Sequence, residues 1–412
     1  MNYRKLTRPT SAGLVIFASA FASIAQAQTP AKPPQAQAWI DVATFNGMGM
    51  PGGGGAMGVL GGLFGGGAAT KVTFPATQST SSGRVMDVTL SARNNPQLAQ
   101  GIHTIPNGLQ LGPQLNLVAP QGARAATERD EPYVDQPEKP KGRILLYWGC
   151  GATVRAGQPR VLDMASLKPD DAARVFIARS ATQRGVHSAQ GRPHWPNPKE
   201  GQVLADNASL AGEHGFSASG VPPGFAFSVG QTNDVMPALA LASSDQGGAT
   251  ALEWNSLPTA RGYFAGAIAS KSDAEMVIWS SSELPDTGFG LFDYQTNPAV
   301  DGWVKERVVM APGTTRCAIP KGVLPGEGAM LRLIAYGPEL NLVHPPRPAD
   351  TRAAWEPQWA VKLRLKSMAT SIAGMPAMGE AMKAESNSPP SESGGGAKLP
   401  GAIDLIRGLF GR

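Results

Sequence analysis

The chain has 412 residues, room for two ordinary domains with residues to spare. Its 42% hydrophobic content excludes a wholly disordered chain, and the surplus length shows as Gly 50 and Pro 36. The formal charge of +5 falls by three, to +2, once Arg4, Lys5 and Arg8 of an acid-free N-terminal segment are set aside, and +2 is no nucleic-acid footprint.

That segment has the form of a secretory signal. Arg4, Lys5 and Arg8 are followed by an apolar run from Ala12 to Ile24 and by Ala25-Gln26-Ala27, a small-x-small cleavage site. Cleavage near Ala27 is expected, and no later run approaches the length of a membrane helix. A periplasmic or secreted protein follows. Export permits a disulfide between Cys150 and Cys317, the only cysteines, and two buried thiols stand as the alternative.

Residues 28–70 hold one strand, Ala38–Phe45, and then a Gly/Met-rich run. Gly53-x-Gly55-x-x-Gly58 matches the dinucleotide fingerprint on paper, but the following helix and acidic residue are missing. No cofactor is expected, and the run reads as a linker. Residues 71–242 read as a first β-rich domain. Its expected strands are Lys71–Phe74, Arg84–Ala92, Leu109–Val118, Arg143–Trp148, Ala152–Arg155, and a hairpin of Phe216 and Phe225–Val229 about a Pro-Gly turn. Gln121–Lys141 and Arg184–Pro198 are polar, Pro-rich loops. Ser166–Ser180 carries helical spacing. Ser243–Gly248 reads as a polar linker.

Residues 249–367 form the second unit. Strands are expected at Ala251–Asn255, Gly262–Ser270, Glu275–Ser280, Trp303–Ala311, Arg316–Ile319, Ala329–Tyr336 and Glu339–His344. In Trp359–Lys366, Val361, Leu363 and Leu365 alternate with Lys362, Arg364 and Lys366. The cations are expected in solvent, with contact to an envelope polyanion such as lipopolysaccharide as the alternative. Residues 368–412 read as a short Met-containing helix, a segment disordered by composition, and an apolar tail.

Leu252-x-Trp254 and Tyr263, across a turn at Pro258–Gly262, resemble the first hairpin of fibronectin type III-like domains. The resemblance implies a sandwich with Trp and Tyr between its sheets, and it implies no activity. The fold class expected is mainly β: two β-sandwich-like units with Gly-rich and disordered flanks and few short helices.

Catalytic signatures are absent. Gly215-Phe216-Ser217-Ala218-Ser219-Gly220 misses the nucleophile elbow by one position. His187, His194 and His214 match no zinc spacing and read as loop histidines, so no metal site is expected. The recognition candidate is the stretch Glu283–Gly302, where Phe289, Phe292 and Tyr294 accompany Asp286, Asp293 and Asp301. Aromatic faces with carboxylates suit a sugar or peptide. The alternative is that the aromatics fold inward. Three functions stay open: a non-enzymatic binding or scaffolding protein of the cell envelope with a glycan or protein partner, a glycan hydrolase using those acids, and a copper-handling protein using Met48, Met50, Met57, Met368, Met375, Met378 and Met382.

Overall fold

The computed structural model describes residues 32–47, 72–78, 82–120, 142–166, 179, 185–326, 328–350 and 353–374. Outside them lie the expected signal and its cleavage site, the Gly-rich run, the polar segment at 121–141, most of the expected helix over Ser166–Ser180, and the tail from residue 375.

The chain is mainly β. Sixteen strands are described: β1 (Ala36–Gly47), β2 (Gly83–Ala92), β3 (Gln100–Thr104), β4 (Gln114–Val118), β5 (Arg143–Trp148), β6 (Arg160–Asp163), β7 (His194–Trp195), β8 (Gly212–Ser217), β9 (Ala226–Val229), β10 (Leu241–Gln246), β11 (Ala249–Trp254), β12 (Gly262–Ser272), β13 (Glu275–Ser280), β14 (Arg316–Ile319), β15 (Met330–His344) and β16 (Trp359–Ile372). Thirteen form one sheet in the order β6-β5-β13-β12-β15-β16-β1-β2-β7-β4-β3-β8-β9, and β10-β11-β14 form a second. Neighbours are antiparallel except β1 with β16 and β5 with β13, which are parallel. These pairs join the first part of the chain to the second by backbone hydrogen bonds.

Large sheets curl because each strand twists. Here the far end comes back over the middle: Phe225, just before β9, stacks on Trp359 of β16 with ring centroids 4.8 Å apart. Ile40 and Val42 of β1, Leu90 of β2, Leu117 of β4, Phe216 of β8 and Leu363 of β16 thereby share one apolar core. The small sheet covers the other half. Trp254 of β11 lies 5.7 Å from Tyr263 of β12, and both are buried. Cys150, after β5, is bonded to Cys317 of β14, with Cα atoms 5.4 Å apart, which pins the small sheet to the large one.

The opposite face of the large sheet is also covered. Helix α1 (Asn297–Lys305) and the segment before it lay Leu291 and Val300 against Phe264, Ile334, Tyr336 and Met368. Here the structure departs from the expected strand Trp303–Ala311. Pro298 stands at the start of the helix, where its missing N–H costs nothing, and Val300, Trp303 and Val304 follow at helical spacing.

Other departures are smaller. Ser243–Gly248 lies largely in strand β10, paired along its length with β11. Leu109 ends a short 3-10 turn, and strand β4 starts only at Gln114. Val72–Phe74 and Ala152–Arg155 are not strands. Met368–Ile372 continues β16 instead of opening a helix.

Candidate functional site

The stretch 283–302 is built into the protein. Tyr294 is buried, with Arg364 and Lys366 of β16 over its ring at 4.5 and 4.2 Å. Burial, and then the Asp41 carboxylate, push its hydroxyl well above the usual tyrosine range. Phe292 meets the edge of Phe264 and lies under Arg332 at 4.3 Å. Phe289 is half-buried, and its carbonyl accepts the N–H of Arg179 at 2.9 Å. The three acids each have their own cation: Asp286 with Arg179 at 2.9 Å, Asp293 with Lys366 at 3.0 Å, and Asp301 with Arg261 at 2.5 Å. Burial would raise the Asp293 carboxyl, but Lys366, the Tyr294 N–H and Arg364 together hold it below the usual range. A general acid needs the opposite shift.

Lys366 belongs to a row of charges that the sequence placed in solvent. Arg364 is 5% exposed and Lys366 4%. Alternation along β16 is real, yet both faces are covered, so the cations found partners inside. Arg364 Nε donates to Asp41 Oδ1 of β1 at 2.6 Å, and a second nitrogen reaches Asp41 Oδ2. Burial works against the Arg364 charge, and Asp41 more than offsets it. Burial lowers the Lys366 amine. One strand over, Asp87 of β2 stands opposite Asp41. It accepts the N–H of Ala76 and of Thr77, each at 2.8 Å, and the Thr77 hydroxyl at 2.5 Å. Lys362, only partly exposed, pairs with Glu339 at 3.1 Å. Contact between these cations and an external polyanion is therefore not how the strand is used. This row is a structural network: Asp41, Arg364 and Lys366 are buried, and Asp293 carries it to the surface.

An open site lies at the other end of the sheet. Antiparallel pairing with β3 uses one edge of β4. Its other edge meets β7 at Val118 alone. At Asn116 the missing strand is imitated by side chains: the Asn116 N–H donates to Glu200 Oε2 at 3.3 Å, and Asn197 Nδ2 donates to the Asn116 carbonyl at 2.8 Å. Asn116 Nδ2 also donates to Glu200 Oε1 at 2.6 Å. Asn197, itself buried, accepts the N–H groups of Lys199 and Glu200 at 3.0 and 3.1 Å. The far side of this turn is fastened by Val72 N–H to the Gly201 carbonyl at 3.3 Å. A Cβ on Gly201 would sit 2.4 Å from the Val72 oxygen, so only glycine fits the approach.

Lys199 and Glu200 stand on a ridge between two grooves. One, of about 570 Å³, is lined by Gln100, Ile102, Asn116, Ser217 and Ala218 among others. The second, of about 440 Å³, adds Leu111, Gln114, Trp195 and Gln202. Amides, one fixed carboxylate and one exposed amine beside apolar side chains such as Ile102 and Leu111 are the groups that orient a polar ligand. The polar, Pro-rich segment Arg184–Pro198 was expected to be a loop. It contains β7 and the Asn197 anchor, and nothing local marked Lys199 or Glu200.

The histidines separate. His187 Nδ1 lies 3.0 Å from the Gly185 carbonyl at the surface. His194 is buried in β7 against Phe74, and burial lowers its pKa. His214 is buried in β8 beside His103, a residue the sequence did not single out. Two of the three are thus core residues, because their segments are strands. Among the described residues no group of three or more His, Cys, Asp or Glu is placed to hold a metal. Of the methionines weighed for copper, Met368 packs in the core and the others lie outside the described residues. No helix among the described residues is long and apolar enough to cross a membrane. No protein-family model matches the chain, and no curated protein matches its sequence.

Proposed function

We propose that the protein is an exported, non-enzymatic binding protein of the cell envelope, and that its ligand is a glycan held over Asn116, Lys199 and Glu200. The observation that carries this reading is the fixed Glu200 carboxylate on the ridge between two open grooves. Each of its oxygens takes a hydrogen bond from Asn116, which leaves further lone pairs for ligand hydroxyls. Lys199 adds donors beside it, and the amides of Gln100, Gln114 and Gln202 supply both donors and acceptors. The Cys150–Cys317 bond and the signal-like residues 1–27 support an oxidising, exported setting.

The test is retention of residues 28–412 on a panel of insoluble glycans and on envelope fractions. Among the described residues the Lys199 side chain makes no hydrogen bond or ion pair, so Lys199→Ala should cut retention about tenfold, the worth of one good charged hydrogen bond, without disturbing the fold. Glu200→Ala should abolish it with an unchanged circular dichroism spectrum. No retention on any glycan would overturn the reading. So would retention that survives both changes and is lost in Phe289→Ala, which would move the site to the stretch 283–302.

A further inference from the structure

Strands β3 and β8, which bring Ile102 and Ser217 to the first groove, also carry two buried imidazoles. His103 Nε2 lies 3.1 Å from His214 Nδ1, and His214 Nε2 lies 2.7 Å from the Leu210 carbonyl. The carbonyl can only accept, so His214 Nε2 carries a hydrogen. In the neutral ring, His214 Nδ1 is then a lone pair and accepts from His103 Nε2–H. His103 Nδ1 is left with a lone pair, buried, and without a partner among the described residues. One backbone carbonyl thus fixes both tautomers.

The pair is sealed by flat aromatic faces. Phe216 of β8 stacks on His103 at 4.2 Å and Phe227 of β9 on His214 at 5.2 Å. Strands β3, β4 and β9 contribute no titratable side chain besides His103 itself. On β8, Glu213 adjoins His214. Behind the Leu210 carbonyl, Asp234 accepts the Leu210 N–H and the Ser209 hydroxyl, each at 2.6 Å. His194 of β7 lies beyond β4. Among the described residues no carboxylate hydrogen-bonds to His103 Nδ1.

We propose that the His103–His214 pair is an acid-sensitive latch, which holds the β8–β9 hairpin on β3 at neutral pH and releases it on acidification, opening one wall of the groove. A proton on His103 Nδ1 would place a charge in an apolar stack. A second proton, on His214 Nδ1, would set two N–H groups against each other at 3.1 Å. Burial already holds both imidazoles below their ordinary value, His103 well below. The sign follows. In the open state each ring titrates near its ordinary value of about 6.5, whereas in the closed state it stays neutral. Closure is therefore most favoured above that pH and weakens progressively below it, by up to about tenfold in open population per pH unit for each ring. The latch is a physical property of the hairpin; its link to ligand release rests on the groove reading above.

Hydrogen exchange of residues 28–412 at pH 7.5 and 5.5, corrected for intrinsic rates, tests it. Segments 212–217 and 226–229 should open at least about tenfold more at pH 5.5, while β12 and β15 stay unchanged. His103→Phe keeps the stack and removes one titrating ring, so the rise should shrink. Should that variant not fold, nitrogen-15 spectra of the wild-type histidines decide. They should show His214 protonated at Nε2 and His103 neutral at pH 5.5. Uniform acceleration across all strands, no acceleration, or both rings titrating near 6.5 would overturn the latch. Exchange is read without ligand, so a failure to retain any glycan removes the groove reading and leaves this result standing.

Discussion

Asp41 and Arg364 face each other across the parallel β1–β16 pair, 323 residues apart in sequence, joined by two hydrogen bonds with side chains 1% and 6% exposed. Both side chains are almost wholly buried, and Asp41 is the foremost of the groups that support the Arg364 charge. Removing one partner of a buried pair leaves an unpaired charge and typically costs about 3–5 kcal/mol, whereas replacing both by apolar groups costs far less. Asp41→Ala should thus lower the urea unfolding free energy by about that amount. Arg364→Met combined with Asp41→Leu should recover most of it. Equal losses in the single and double variants would show that the pair is not the coupled unit.

This pair also marks where the sequence stops being readable. Strands β1, β2, β5, β12 and β13 were legible because their β-branched and aromatic runs are bounded by turn residues. The alternation in β16 was equally clear, and it identifies a strand. What covers each face is decided by Asp41 and by the segment around Asp293 and Tyr294, both remote in sequence, so period two alone could not say that Arg364 and Lys366 are buried. Helix α1 did leave a local signal, Pro298 at its start, which the aromatic character of Trp303 outweighed. The groove left none. Asn197 and Glu200 matter because β4 lacks a strand at Asn116, and only the pairing shows that gap.

Asp87 gives a pH dependence of opposite sign to the usual carboxylate. Burial raises its carboxyl to about 6 from 3.8; the bonds from Thr77 and Ala76 only partly counter this, and Asp41 adds to it. Between those values the folded state binds more protons than the unfolded one, so this group's contribution falls as pH rises from about 4 to 6, by about 3 kcal/mol in all. Asp293 acts in the other direction: its lowered pKa gives stability present above the ordinary carboxylate value and lost only as pH falls through the lowered one. A carbon-13 titration of the Asp87 carboxyl should show a midpoint near 6. A midpoint below 4 would mean that its three hydrogen-bond donors outweigh burial.

The Cys150–Cys317 bond closes a span of 167 residues and ties strand β14 of the small sheet to the end of β5 in the large one. Among the described residues the packing between these layers is apolar, built on Trp254, Tyr263 and Leu252. Cross-linking so long a span removes much unfolded-chain entropy, about 5 kcal/mol at the upper end for a loop of this size. Cys150→Ala with Cys317→Ala should therefore lower the urea midpoint strongly, by a free energy of about 3–5 kcal/mol, and reductant should do the same to the wild type but nothing further to the variant. The loss should also be uneven. With the tie removed, hydrogen exchange should rise first in β10, β11 and β14, while β1 and β16, held by pairing on both edges, keep their protection. An unchanged midpoint in the double variant would mean that apolar packing alone fixes the small sheet.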